Sequence, residues 1–106
     1  MLRHVVLFAW KSETPPEKVR EIEAAMCALP AKIPEIARFE WGTDVSVQGL
    51  ARNFTHCFVV SFASEKDRDT YQVHPDHQAF IALSKPHRQK LLVLDYFARD
   101  ASGSEA

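Results

Sequence analysis

Residues 54–63, FTHCFVVSFA, decide the fold. They are rich in aromatic and branched side chains and read as a strand, with His56, Phe58, Val60 and Phe62 on one parity. Downstream, Ser64 caps a helix whose first turn carries Glu65 and Asp67 at its positive end, and the same helix carries Tyr71 and Val73. His74 precedes Pro75, and a residue before proline is pushed out of the helical region, so this helix breaks there. Pro75 then opens a short third helix over 75–84 with Ala79, Phe80 and Leu83 on its apolar face, and Pro86 closes it. Residues 90–98, KLLVLDYFA, form the last strand. Upstream, residues 3–10, RHVVLFAW, form the first. Thr14-Pro15-Pro16-Glu17 starts a helix, with Thr14 as cap, Pro15 in the first helical position and Glu17 completing a capping box. Val19, Ile22, Met26 and Leu29 recur at helical spacing, and Pro30 is expected to end the helix. A second strand over about 36–47 is interrupted by Gly42, a candidate bulge, and 48–53, QGLARN, is a polar loop. The order β-α-β-β-α-(α)-β is that of an α+β, ferredoxin-like domain, a four-stranded antiparallel sheet with helices on one face. One domain is expected over residues 1–98, with 99–106 as a flexible, frayed tail.

The chain has 106 residues, 46% hydrophobic and 25% charged, the balance of an ordinary globular domain. Thirteen basic residues against fourteen acidic ones leave no basic footprint for nucleic acid or an anionic membrane. No apolar run approaches the roughly 20 residues that a membrane helix needs, and the N-terminus lacks a signal-peptide layout, so a cytoplasmic location is expected. Cys27 and Cys57 lack metal-ligand spacing and read as small buried hydrophobes with free thiols.

Helices on one face of a sheet should leave strands that alternate apolar and polar. These alternate poorly. Val6, Phe8 and Trp10 oppose Val5, Leu7 and Ala9. Leu91, Val93 and Phe97 oppose Leu92, Leu94 and Tyr96. A bare second face would forgo about 1.5–3 kcal/mol for each large side chain that could have been buried. The simplest repair is a second copy, sheet against sheet about a two-fold axis, so a homodimer with a barrel-like core is expected.

His4 shares the parity of Val6 and Phe8, and His56 that of Phe58 and Val60. Strands one and three are central neighbours in this order, which puts both histidines on one face. Tyr71 and His77 are six apart and would diverge on one continuous helix; the break before Pro75 lets both aim at one pocket. A pocket holding Tyr71, His77, His56 and His4 has an imidazole able to act as general base and a phenol able to donate to a carbonyl or oxyanion. Val6, Ile22, Met26, Phe39, Phe58, Leu91 and Val93 are expected to wall it for a small, mostly apolar ligand. The bland alternative is that each histidine is a satisfied structural residue. HxxH spacing with a proline inside it and no carboxylate on the same face is a weak metal signal, so no metal is expected. Asp95, on the parity of Leu91 and Val93, is expected half-buried in a hydrogen bond or salt bridge.

The segments His4–Phe8, Trp41–Ser46, Thr55–Phe62, Tyr71–His77 and Leu94–Tyr96 together resemble the stress-responsive dimeric α/β-barrel (Dabb) family. The most specific are HPDH followed by Phe80, and the strand ending Asp95-Tyr96. The resemblance implies a two-fold dimer with back-to-back sheets. Plant cyclases of the family close a polyketide chain by intramolecular aldol condensation without metal or organic cofactor. On that likeness His77 is the general base, Tyr71 holds and polarises the substrate, and His4 and His56 lie at the cavity. On that likeness this chain departs at two pocket positions, Met26 for a tyrosine of helix one and Arg88 for a tryptophan before strand four, which alters the cavity's shape and polarity. The resemblance leaves open a cofactor-free cyclase or lyase, a non-enzymatic ligand-binding or structural dimer, and a ferredoxin-like monooxygenase.

Overall fold

The computed structural model covers residues 1–106. Its elements are β1 (Leu2–Trp10), α1 (Pro16–Cys27), the single turn α2 (Leu29–Lys32), β2 (Arg38–Thr43), β3 (His56–Phe62), α3 (Glu65–Val73), α4 (Pro75–Ser84), a 3₁₀ turn (Lys85–His87) and β4 (Arg88–Phe97). The four strands form one antiparallel sheet in the order β2-β3-β1-β4, so the fold is the ferredoxin-like one. Every helix packs on one face.

The local chemistry differs from expectation in four places. Pro15 caps α1 and Pro16 takes its first position; Thr14 makes no capping bond. Pro30 opens α2 rather than ending α1, because a proline lacks the N–H that a first turn does not use. The β2–β3 pairing runs through Gly42 without a register shift. The irregularity lies instead between β1 and β4: Ala9 faces Lys90 but Trp10 faces Arg88, which leaves Gln89 over.

The core lies between sheet and helices. Leu2, Val6 and Phe8 from β1 and Phe58, Val60 and Phe62 from β3 meet Ile22 and Met26 of α1, with Tyr71 and Phe80 from the α3–α4 layer. The buried face of α4 is His77, Phe80 and Ser84, spaced three and four apart; Ala79 is exposed. Cys27 is exposed and Cys57 half-buried, so neither is a core residue. The second face of the sheet is bare. Leu92, Leu94 and Tyr96 are 43%, 58% and 47% exposed there.

The tail is folded back rather than frayed. The Asp100 carboxylate accepts from the backbone N–H groups of Ser102 and Ser104, and the N–H of Ala106 donates to Ala98. An Asp at the start of a short polar turn does this because its carboxylate mimics a backbone acceptor.

Candidate functional site

A cavity of about 230 Å³ opens between the sheet and the α3–α4 layer. Its polar wall is His4, Tyr71, Gln72, His77 and Arg88; Val6, Phe8, Met26, Leu91 and Val93 are among its apolar lining.

The break between α3 and α4 builds this wall. His74 takes an extended conformation (φ −63°, ψ 135°), and its Nδ1 accepts the N–H of Asp76 at 3.1 Å. In an unbroken helix that N–H would serve the carbonyl of Gln72, four residues back. The freed Gln72 carbonyl instead accepts from His77 Nδ1 at 3.2 Å and from the Gln78 amide at 2.6 Å. With Nδ1 committed as a donor, Nε2 of neutral His77 carries the free lone pair. The His77 ring stacks on Tyr71 with centroids 4.1 Å apart. Burial pushes the His77 pKa below the ordinary imidazole value; His4, Arg88 and His74 push the same way, while the Gln72 carbonyl opposes them. Burial also drives the Tyr71 phenol far above its usual range, so it stays a donor near neutral pH. Its hydroxyl is buried and has no hydrogen-bond partner.

His4 completes this end. It faces Asp95 across the β1–β4 pair, and Nδ1–H donates to the Asp95 carboxylate at 2.6 Å. The other carboxylate oxygen accepts from Arg68 at 3.1 Å. The His4 ring meets Tyr71 edge-on with centroids 5.8 Å apart. Asp95 is thus half-buried and charge-paired, as its parity implies.

Four residues expected at the pocket lie elsewhere. His56 is on the same face as His4 but at the other end of the sheet. Antiparallel pairing sets His4 opposite Val60 and sets His56 opposite Phe8. Four residues of strand, at about 3.3 Å each, separate the two rows by roughly 13 Å. There the His56 ring accepts from the Trp10 indole at 3.1 Å, donates to Glu23 of α1 at 2.6 Å, and stacks on Trp41. Ile22 and Phe58 are sealed in the core, and Phe39 packs against Phe58 toward the β2 edge, away from the cavity. Sequence reasoning missed Phe8, which shares the parity of His4 and Val6 and was findable on that ground. Arg88 lines the cavity, as the resemblance implied, although strand parity alone would turn it away; the Gln72 carbonyl was missed because it is a backbone group.

A ferredoxin-like sheet carrying a broken helical layer over a histidine–tyrosine pocket defines a class of small α+β barrel domains. The chain belongs to the stress-responsive A/B barrel domain family, whose profile matches residues 2–98. It is 34% identical over 95 residues to the stress-response A/B barrel domain-containing protein HS1 of Arabidopsis thaliana, covering 90% of this chain and 87% of that one. It is 28% identical over 98 residues to olivetolic acid cyclase of Cannabis sativa, covering 92% and 97%. Among solved structures, it superposes on a hydroxynitrile lyase from Passiflora edulis with a TM-score of 0.88 at 28% identity, covering 94% of each chain. A dimeric ferredoxin-like protein of unknown function from Thermobifida fusca gives a TM-score of 0.77 at 30% identity, covering 90% of this chain and 88% of that one. A dimeric protein, a cyclase and a lyase are thus among the proteins that this chain resembles. No helix is long and apolar enough to cross a membrane.

Proposed function

We propose that this chain is a homodimeric, cofactor-independent cyclase or lyase of small carbonyl compounds, with His77 as general base and Tyr71 as the donor that polarises the carbonyl. One observation carries the reading. A buried imidazole with its Nε2 lone pair free stacks on a buried phenol with no partner, and both line one cavity. Proton transfer beside a carbonyl needs a neutral base, a donor aimed at the oxygen, and little water. In an aldol closure, His77 Nε2 takes a proton from the carbon between two carbonyls. The enolate carbon then attacks a second carbonyl of the same chain, and the proton returns to the new alkoxide. In hydroxynitrile cleavage the same nitrogen takes the hydroxyl proton as the carbon–carbon bond breaks; cyanide leaves with the electron pair and then takes the proton from the His77 imidazolium, giving a carbonyl and hydrogen cyanide. Both are redox-neutral; the aldol closure builds negative charge on an oxygen that Tyr71 can serve, and in the cleavage Tyr71 can serve the oxygen that becomes the carbonyl. The likeness to olivetolic acid cyclase and to the hydroxynitrile lyase supports this pair of reactions.

His4 is the second polar group of the pocket in this reading. Asp95 fixes its tautomer, which leaves its Nε2 free to bind substrate. Val6, Met26, Leu91 and Val93 supply apolar wall. The dimer forms through the bare face of the sheet, whose exposed Leu92, Leu94 and Tyr96 would otherwise meet water. The dimeric Thermobifida fusca relative supports dimerisation, and the exposed apolar strand residues support this face for it.

The test is turnover of β-polyketones and aromatic hydroxynitriles by the purified protein, its His77→Ala variant and its Tyr71→Phe variant. Wild-type turnover that falls by roughly 10²-fold or more in each variant is expected. Turnover that survives His77→Ala unchanged ends the assignment.

A further inference from the structure

Arg88 sits on the cavity wall through a defect in the sheet. Along a regular β4, residues 89, 91 and 93 would face the helices, and residue 88 would face away. The register slip next to Ala9 leaves Gln89 over and sets Arg88 opposite Trp10, on the helix-facing side. Its guanidinium lies over the Phe8 ring, 5.5 Å from the centroid. A bulge that turns a cation into an apolar hollow is a device for aiming a side chain.

The aimed cation has no counter-ion. Its Nε and one Nη donate to the same hydroxyl, Ser84 Oγ, at 3.2 and 2.8 Å, and no carboxylate lies within ion-pair distance. A guanidinium carries more donors than one hydroxyl can accept, and its fork matches the two oxygens of a carboxylate. A half-buried cation without a partner is costly unless something pairs with it. The surrounding wall limits the charge of that partner. Asp95 is already held by His4 and Arg68 and offers Arg88 no charge, and burial pushes His77 toward its neutral form. The hollow therefore offers one uncompensated positive charge beside Phe8, Leu91 and Val93. At about 230 Å³ it is smaller than the ~300–1,000 Å³ of pockets for drug-sized ligands.

We propose that the pocket is selective for small monocarboxylates, with the carboxylate held by the Arg88 fork and the apolar body of the ligand against Phe8, Leu91 and Val93. This rests on the pocket reading above and names its substrate class. The substrate is a keto or hydroxy acid whose reacting oxygen reaches Tyr71 while its carboxylate pairs with Arg88.

Binding separates this proposal from the catalytic one. Phenylacetate, phenylacetamide and phenyl phosphate are titrated into the dimer, with affinity and the His77 ring resonances followed by NMR. Phenylacetate is expected to bind at least roughly tenfold tighter than the isosteric amide, because a charged hydrogen-bonded pair is lost in the amide. It is also expected to raise the His77 titration midpoint, which the amide leaves in place. Arg88→Gln removes the preference; Arg88→Met, which keeps packing on Phe8, does the same and guards against a misfolded first variant. Equal binding of acid and amide, a preference that survives both substitutions, or tighter binding of the phosphate dianion than of phenylacetate overturns the proposal. A pocket that binds acid and amide alike, yet loses turnover in His77→Ala, keeps the catalytic reading and discards this one.

Discussion

Tyr71→Phe should stabilise the free protein while removing its activity. The Tyr71 side chain is fully buried, and its hydroxyl, with less than 1 Å² of surface open, has no partner. Water satisfied that oxygen in the unfolded chain, so folding pays its desolvation without return. An unsatisfied buried hydroxyl costs about 1–3 kcal/mol. Deleting one oxygen leaves the ring, its 4.1 Å stack on His77 and its contact with Phe62 in place, so little cavity cost opposes the gain. The net expectation is about 1–2 kcal/mol of added stability, or a melting temperature higher by roughly 4–10 °C in a domain of this size. The measurement is paired thermal and urea unfolding at one fixed protein concentration, since a dimer's midpoint depends on it. Turnover should fall by roughly 10²–10³-fold, the usual effect of removing one donor to a developing oxyanion. A variant less stable than wild type by 1 kcal/mol or more (an order-of-magnitude threshold) would show that the hydroxyl has a structural partner in solution. The idea of a donor held in reserve for substrate would then be wrong.

Asp95→Asn removes the charge shared by His4 and Arg68, and urea titration should show a loss of about 1–3 kcal/mol, the range for hydrogen bonds to charged groups; the downfield Nδ1–H signal of His4 should weaken with it. His77, with a folded pKa below its ordinary 6.5, is expected to stay an active base under mildly acidic conditions, so the acid limb of turnover should lie below pH 6.5. The sign for stability follows: between 6.5 and the lower folded value the unfolded chain binds more protons, so this contribution is complete above 6.5 and is lost as pH falls through that window. His77→Gln should flatten that slope in pH-dependent unfolding curves. Leu94→Glu places a charge on the bare face at a residue 58% exposed in the single chain, and two-fold symmetry counts it twice. Sedimentation should show monomers where wild type dimerises, and an undiminished dimer would locate the interface elsewhere.

The element order, the helix break at Pro75 and the Ser64 cap were legible because proline and capping chemistry act over a few residues. The first helix misled the reading because two prolines, Pro15 and Pro16, compete for one position, and sterics rather than a capping hydroxyl decided between them. Parity was legible too, and it put Val6, Leu91 and Val93 on the cavity side. It could not say how far along the sheet a residue stands. His4 and His56 have the same parity and opposite ends, because an antiparallel partner counts backwards from a register that the local sequence does not contain. Row alone did not decide the wall, since Phe8 shares the row of His56; the cavity lies over the β1–β4 half of the sheet, and β3 stands on the other side of β1.

Arg88 shows the deeper limit. Period-two reasoning assigns residue 88 to the face away from Leu91 and Val93, and the assignment is correct for every regular strand. One surplus residue, Gln89, reverses it. A bulge weakens the ladder, and this one lies where β1 ends beside the cavity. The inner wall is thus occupied at this point by a cation that only a slipped register can bring inward. Met26 and Arg88 line the same hollow. One is apolar and the other charged, so β4 and not α1 brings charge to the hollow beside the stacked His77 and Tyr71. On the proposed reading, such a pocket keeps the proton chemistry of His77 and Tyr71 and lets Arg88 select what is presented to it.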